Sequence, residues 1–159
     1  MRLHFDRRLP GRAVALAMAL ALLCAPVAPL SAQDFALQGL RGGRLVESDL
    51  ARGTTICIVW ASWSPRSRGV AERVNGIAGR WGGRARVVAV NFQEDRQTVE
   101  RFLDGKGVSA DVFLDESGAF SKKYSVATLP GLLVVKDGTV AYRGKLPDDP
   151  DSVIAPLLG

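Results

Sequence analysis

Cysteine and histidine are scarce in this sequence of 159 residues, which limits the chemistry that it can support. Two cysteines, Cys24 and Cys57, and one histidine, His4, are present. A leader that ended at residue 32 would take Cys24 and His4 with it. One thiol cannot close an internal disulfide, and no imidazole would remain to act as a base or as a metal ligand. We therefore expect neither a metal site nor a cofactor.

The first 32 residues have the layout of a secretory signal peptide. Four arginines make a basic opening, an apolar run covers residues 13–24, and Pro26 and Pro29 end that run. Residues 30–32 (LSA) supply a small-residue cleavage site. A retained membrane anchor is the alternative, but the run is short for a span of about 20 residues. We expect cleavage after residue 32, export to the periplasm or beyond, and no membrane span in the remainder.

Charge is nearly balanced once the leader is set aside. The chain has 21 basic and 16 acidic residues, of which four basic and one acidic residue lie within residues 1–32. Residues 33–159 therefore carry 17 basic and 15 acidic residues, a net charge of +2. They show no basic stripe interleaved with aromatic residues, so we do not expect nucleic-acid binding.

Hydrophobic patterning predicts strands that alternate with helices. The continuous apolar runs 54–61 (TTICIVWA) and 85–92 (ARVVAVNF) indicate strands buried on both faces. Ser64 is a preferred N-cap residue and Pro65 is favoured at the first helical position, so a helix is expected from there to about Trp81.

The other predicted elements complete an α/β sandwich around a mixed sheet. They are a hairpin or arm over 33–44, a helical turn at 48–50, helices over 95–103, 119–124 and from about 149, and strands over 111–114, 132–136 and 139–143. No repeat, low-complexity tract or linker interrupts them. Residues 33–159 are therefore expected to form a single domain.

Several segments resemble the TlpA/ResA-like branch of the thioredoxin-like superfamily. Residues 59–63 (VWASW) look like the strand and loop that lead into the family's Cys-x-x-Cys motif, and residues 90–95 (VNFQED) resemble its second strand. Residues 124–130 (YSVATLP) look like its cis-proline region. The resemblance covers nearly all of residues 35–158. It implies a thioredoxin-like three-layer sandwich, with a central mixed sheet and helices on both faces, and a cis bond before Pro130.

The residues that would carry the family's reaction are missing. The motif falls on Ser64, Pro65, Arg66 and Ser67, so serine stands at both cysteine positions. The reaction needs a thiolate at a helix N-terminus and a second thiol to resolve the mixed disulfide, and a serine hydroxyl does neither. An acyl-transfer role for Ser64 would need a positioned base, and no histidine remains beside it. We therefore expect no catalytic residue in this degenerate motif.

Two interpretations of the motif stay open. The first is a capped helix start without a function. The second is a binding site without chemistry, in which Arg66 and Arg68 add positive charge to a helix N-terminus that attracts anions. The resemblance further implies that an extended peptide can pair with the backbone before the cis-proline. The candidate peptide-binding residues are Trp63, Thr128, Leu129 and Pro130.

Two hypotheses about function are compatible with these residues. The first is an exported thioredoxin-like protein that lacks the redox-active cysteine pair and acts as a binding or scaffolding module for an extended peptide or an envelope protein. The alternative is a thiol-disulfide oxidoreductase of the TlpA/ResA type, which requires that the serines are engineered substitutions or that Cys57 is active. Cys57 lies between Ile56 and Ile58 in a predicted strand, where a buried cysteine behaves as a small apolar residue. We therefore favour the first hypothesis.

Overall fold

Strands alternate with helices over residues 34–159, the part of the chain that the computed structural model describes. The strands are β1 (Ala36–Gly39), β2 (Arg44–Val46), β3 (Thr54–Trp60), β4 (Arg86–Phe92), β5 (Asp111–Asp115), β6 (Gly131–Lys136) and β7 (Thr139–Lys145). The helices are α1 (Val70–Trp81), α2 (Arg96–Leu103), α3 (Ala119–Lys123) and α4 (Asp151–Leu158), with 3₁₀ turns at Glu47–Leu50 and Pro65–Ser67. The signal peptide predicted for residues 1–32 lies outside the described range.

The strands of this range form one mixed sheet in the order β2-β1-β5-β4-β3-β6-β7. β3 and β4 are parallel, as are β4 and β5, whereas β6 runs antiparallel to β3 and β1 runs antiparallel to β5. The terminal hairpins β1–β2 and β6–β7 are antiparallel as well. The predicted mixed sheet is therefore confirmed, and the apolar runs of β3 and β6 are buried almost throughout.

Side chains of β3 alternate between two hydrophobic cores, one on each face of the sheet. Ile56, Ile58 and Trp60 belong to the core that includes residues of α1, α2 and α4. Cys57 and Val59 belong to the opposite core, which includes residues of α3 and of the N-terminal hairpin. This alternation follows from the two-residue period of an extended strand. Because helices cover both faces, the fold is the three-layer α/β sandwich that the resemblance implied.

Local sequence signals set the ends of two elements as expected. Asp95 is the N-cap of α2, where its Oδ1 accepts a hydrogen bond from the Thr98 backbone N–H at 2.8 Å. That bond lowers the pKa of the Asp95 carboxyl below its ordinary value. Asp137 and Gly138 both have positive φ angles, 48° and 78°, as the tight turn of the β6–β7 hairpin requires.

Cys57 is enclosed in the middle of the sheet. Its neighbours in register are Val88 of β4 and Leu133 of β6, and its side chain is completely buried. Burial raises the pKa of the Cys57 thiol to about 12, and the positive charge of Arg86 opposes this rise only in part. At neutral pH the side chain is therefore a protonated thiol. The prediction that Cys57 is a buried core residue is confirmed.

Asp115 is a buried acid that organises the start of α3. It lies at the end of β5 and is completely buried. Its Oδ1 accepts a hydrogen bond from the Phe120 N–H at 3.1 Å, and its Oδ2 accepts one from the Ser121 N–H at 2.9 Å. A buried carboxylate is stable only when such donors replace water, so Asp115 fixes the first turn of α3 against the sheet.

We expect Asp115→Ala to lower the free energy of unfolding by about 1–3 kcal/mol, because two buried N–H groups lose a charged acceptor. Chemical denaturation followed by circular dichroism measures the change. Asp111→Ala is the matched control, since Asp111 is an exposed aspartate of the same strand. Equal losses in the two variants would contradict the role given to Asp115.

We expect the Cys57 thiol of the folded protein to react with a disulfide reagent more than about 100-fold more slowly than the same thiol in denaturant, because reaction requires the sheet to open. The reaction of residues 33–159, in which Cys57 is the one thiol, is followed at pH 7.5 by release of the coloured thiol, with the same residues unfolded in guanidinium as the reference. Comparable rates in the two states would show that Cys57 is accessible.

Candidate functional site

The segment between β3 and α1 turns more tightly than the sequence predicts. The Ser64 N–H donates to the Ala61 carbonyl at 3.2 Å and the Ser67 N–H to the Ser64 carbonyl at 2.9 Å, which closes the 3₁₀ turn. α1 begins only at Val70, with Gly69 as its N-cap. The prediction of one helix from Ser64 to Trp81 is therefore wrong at its start and confirmed at its end.

Ser64 makes a long-range contact in place of a helix cap. Its side chain forms no capping hydrogen bond. Instead its Oγ donates to the backbone carbonyl of Leu129 at 3.2 Å, across 65 residues of sequence. The register of β3 with β6, in which Val59 faces Gly131, brings the two loops alongside each other. The first serine of the motif thus holds the motif loop against the segment that precedes Pro130.

Solvent exposure falls along residues 128–130, the segment beside the motif. The peptide bond between Leu129 and Pro130 is cis, as the resemblance implied. Thr128 is exposed, Leu129 is half-buried and Pro130 is buried. Trp63, on the motif side, leaves 62% of its surface exposed, far more than the other large apolar side chains of the described range. An exposed indole is common at binding surfaces, where aromatic side chains are enriched.

Within the described part of the chain, neither motif serine donates a hydrogen bond to a side chain that could act as a base. Ser64 is 6% exposed and its hydroxyl proton goes to a carbonyl oxygen, which is not a base. Ser67 is completely buried, and its Oγ has no hydrogen-bond partner among residues 34–159. Within the same range, no group of three histidine, cysteine, aspartate or glutamate side chains could hold a metal ion.

Glu94 holds the loop before the motif in place, a role that sequence reasoning missed. Its Oε2 accepts hydrogen bonds from the Ser62 N–H and from the Asn91 side-chain amide, both at 2.7 Å. Its Oε1 accepts a hydrogen bond from the Ser62 hydroxyl. The sequence predicts only a helix that begins at residue 95, and nothing local reveals a contact between Glu94 and a residue 32 positions away.

Two pockets adjoin at Leu129, and each has a volume of about 370 Å³. The first, here called the apolar pocket, is lined mainly by Trp63, Phe92, Val126 and Leu129, with the hydroxyl-bearing residues Ser64 and Ser121. The second, here called the basic pocket, carries the charged residues Arg66, Arg73, Lys145 and Asp148 beside Thr128, Leu129 and Pro130. The structure therefore brings the predicted peptide-binding residues to the walls of two adjoining pockets, whereas Pro65 and Ser67 line neither.

Comparison with known families gives one match. Residues 30–143 match the AhpC/TSA family. No curated protein sequence matches the chain.

Solved structures share the architecture. A putative thiol:disulfide interchange protein DsbE from Chlorobium tepidum is 27% identical, with a TM-score of 0.69 over 80% of this chain and 95% of that one. MTB dsbF is 21% identical, with a TM-score of 0.67 and coverage of 79% and 95%. The exposed lipoprotein thioredoxin Etrx1 from Streptococcus pneumoniae is 20% identical, with a TM-score of 0.67 and coverage of 79% and 98%. The chain belongs to the AhpC/TSA family and has a thioredoxin-like fold related to that of thiol-disulfide oxidoreductases.

Proposed function

We propose that this protein is an exported, non-catalytic member of the thioredoxin-like group that binds extended peptide segments of a partner protein. The observation that carries the proposal is the sequence Ser64-Pro65-Arg66-Ser67 at the position that the resemblance assigns to the redox cysteines. Ser64 and Arg66 each line one of two adjoining pockets, while the groups needed for dithiol exchange are absent from residues 64–67. We therefore expect peptide binding at this site without disulfide exchange.

The chemical part of the proposal follows from the difference between a hydroxyl and a thiol. Disulfide exchange begins with a thiolate attacking a sulfur atom and ends when a second thiol resolves the mixed disulfide. A serine hydroxyl is hardly ionised at neutral pH and forms no equivalent of the S–S bond. Cys57 offers no replacement, because its pKa of about 12 and its complete burial keep it protonated and inaccessible.

The binding part of the proposal rests on the surface around Leu129. Thr128 is exposed, and its backbone would pair with an extended peptide in the way that a strand adds to a sheet edge. Trp63 and Leu129 belong to the wall of the apolar pocket, which can bury a side chain of that peptide. Ser64 and Glu94 hold the motif loop at two points, so the surface is formed before a ligand arrives.

We propose export because residues 1–32 have the layout of a signal peptide. The location of one structural relative is consistent with this proposal. The protein from Streptococcus pneumoniae is described as an exposed lipoprotein. Among the described residues, no helix combines the length and the apolar character needed to cross a bilayer.

The competing function is a thiol-disulfide oxidoreductase, the activity class named for the Chlorobium tepidum protein. It would hold for this chain only if Ser64 and Ser67 replace native cysteines or if Cys57 reacts. The sequence of the gene in its source organism decides the first condition, and the labelling of Cys57 decides the second.

A disulfide-reduction assay with dithiothreitol and insulin separates the two functions. We expect residues 33–159 with their serines to leave the insulin reduction rate at the dithiothreitol background, because their one thiol, that of Cys57, is buried and protonated. We expect a Ser64→Cys/Ser67→Cys variant to accelerate the reaction, because both positions lie at the turn that precedes α1.

A matched control is the Ser64→Cys variant alone, which has a nucleophile but no resolving thiol and should turn over poorly. Activity of the unmodified chain would contradict the proposal. An inert double variant would show that the surroundings of residues 64–67 no longer suit thiol chemistry, and would leave the non-catalytic function in place.

A further inference from the structure

The basic pocket has a charge that the peptide-binding proposal does not by itself explain. Arg66, Arg73 and Lys145 line it together with one acid, Asp148, so its lining carries a net charge of +2. The apolar pocket on the other side of Leu129 has no charged lining residue. A ligand that crosses Leu129 therefore meets a positive surface on one side and an apolar surface on the other.

The three basic residues of the pocket do not have the same role. Arg73 is half-buried and donates hydrogen bonds through Nη2 to the backbone carbonyls of Leu146 and Pro147, so it fixes the segment after β7. Arg66 and Lys145 are exposed, and within residues 34–159 neither has a carboxylate within 4.0 Å. These two cations are therefore available to a ligand.

The positions of Arg66 and Lys145 in the chain support their role as ligand-binding cations. Arg66 lies within the motif turn and Lys145 is the last residue of β7, so two separate segments of the chain place a cation at the same pocket. Arg68 is also exposed but lines neither pocket. The positive charge at the basic pocket is thus a feature of particular residues rather than of the motif loop as a whole.

We propose that the partner segment carries acidic side chains on one side of the residue that faces Leu129 and large apolar side chains on the other. This inference rests on the proposed function and names the chemistry of its ligand. The acidic side chains occupy the basic pocket beside Arg66 and Lys145, and the apolar side chains occupy the apolar pocket beside Trp63 and Phe92. Charge complementarity at the rim of an interface selects partners and the direction in which they bind.

Four synthetic peptides test the proposal by isothermal titration calorimetry. The protein used is residues 33–159, the part of the chain that remains after the expected cleavage. Two have an acidic end and an apolar end in opposite orders, acetyl-Glu-Glu-Ala-Ser-Leu-Leu-amide and acetyl-Leu-Leu-Ser-Ala-Glu-Glu-amide. The other two have lysine in place of both glutamates. We expect at least one acidic peptide to bind about tenfold more tightly than its lysine twin at low salt. The ratio should fall toward one at about 0.5 M NaCl, where the Debye length is only a few ångströms.

Substitutions at exposed positions test whether the preference for acidic peptides arises at the basic pocket. Arg66→Gln and Lys145→Gln should each weaken binding of the preferred acidic peptide by about two- to fivefold, as expected for the loss of one exposed ion pair. Arg68→Gln is the matched control and should leave the dissociation constant unchanged. None of the three side chains is buried, so the variants should fold like the parent.

The outcomes distinguish the inference from the function on which it rests. If the acidic and lysine peptides bind equally, or if Arg68→Gln weakens binding as much as Arg66→Gln, the charge preference is overturned and peptide binding stands. If no peptide binds at millimolar concentration, both the inference and the proposed peptide-binding function are overturned.

Discussion

The antiparallel pairing of β3 with β6 determines where the candidate site can form. Val59 faces Gly131 in this register, so the chain leaves β3 toward Ser64 at the point where it enters β6 from Pro130. The two loops meet because their strands are hydrogen-bonded neighbours in a sheet that is buried on both faces. A shift of one residue in this register would move Ile56, Ile58 and Trp60 into the core that holds Cys57 and Val59. The packing of the two cores therefore determines the position of the site.

Polar contacts then fix the shape of the loops at that edge. Ser64 joins the motif turn to the Leu129 carbonyl, and Glu94 holds Ser62 from the end of β4. These contacts need only a hydroxyl and a carboxylate, and none of them needs a thiol. The geometry of this surface therefore does not depend on a thiol at position 64 or 67, which is the basis for separating the proposed binding from catalysis in this chain.

The sequence predicted those elements whose signals are local. The apolar runs of β3 and β4 lie where the patterns placed them, α2 starts within one residue of its predicted position, and the β6–β7 turn falls between the two strands predicted there, because each depends on neighbouring residues. The sequence pattern misplaces the start of α1, because residues 65–67 form a 3₁₀ turn and the Ser64 side chain makes no capping hydrogen bond. Its hydroxyl donates to the distant Leu129 carbonyl, a contact that no local pattern predicts. The contacts of Glu94 and the placement of Arg66 and Lys145 at one pocket depend on the tertiary fold, and no spacing in the sequence reveals them.

Binding of extended peptide at the surface around Leu129, without covalent chemistry, is the central claim. The most direct measurement is a ¹H–¹⁵N chemical-shift titration of the labelled protein with an insulin B chain whose cysteines have been alkylated, so that no disulfide can form. We expect shifts concentrated in the backbone amides of Trp63 and Thr128 and in the two pockets, with the amides around Arg84, outside both pockets, unchanged. Shifts centred elsewhere, or none at saturating peptide, would contradict the claim.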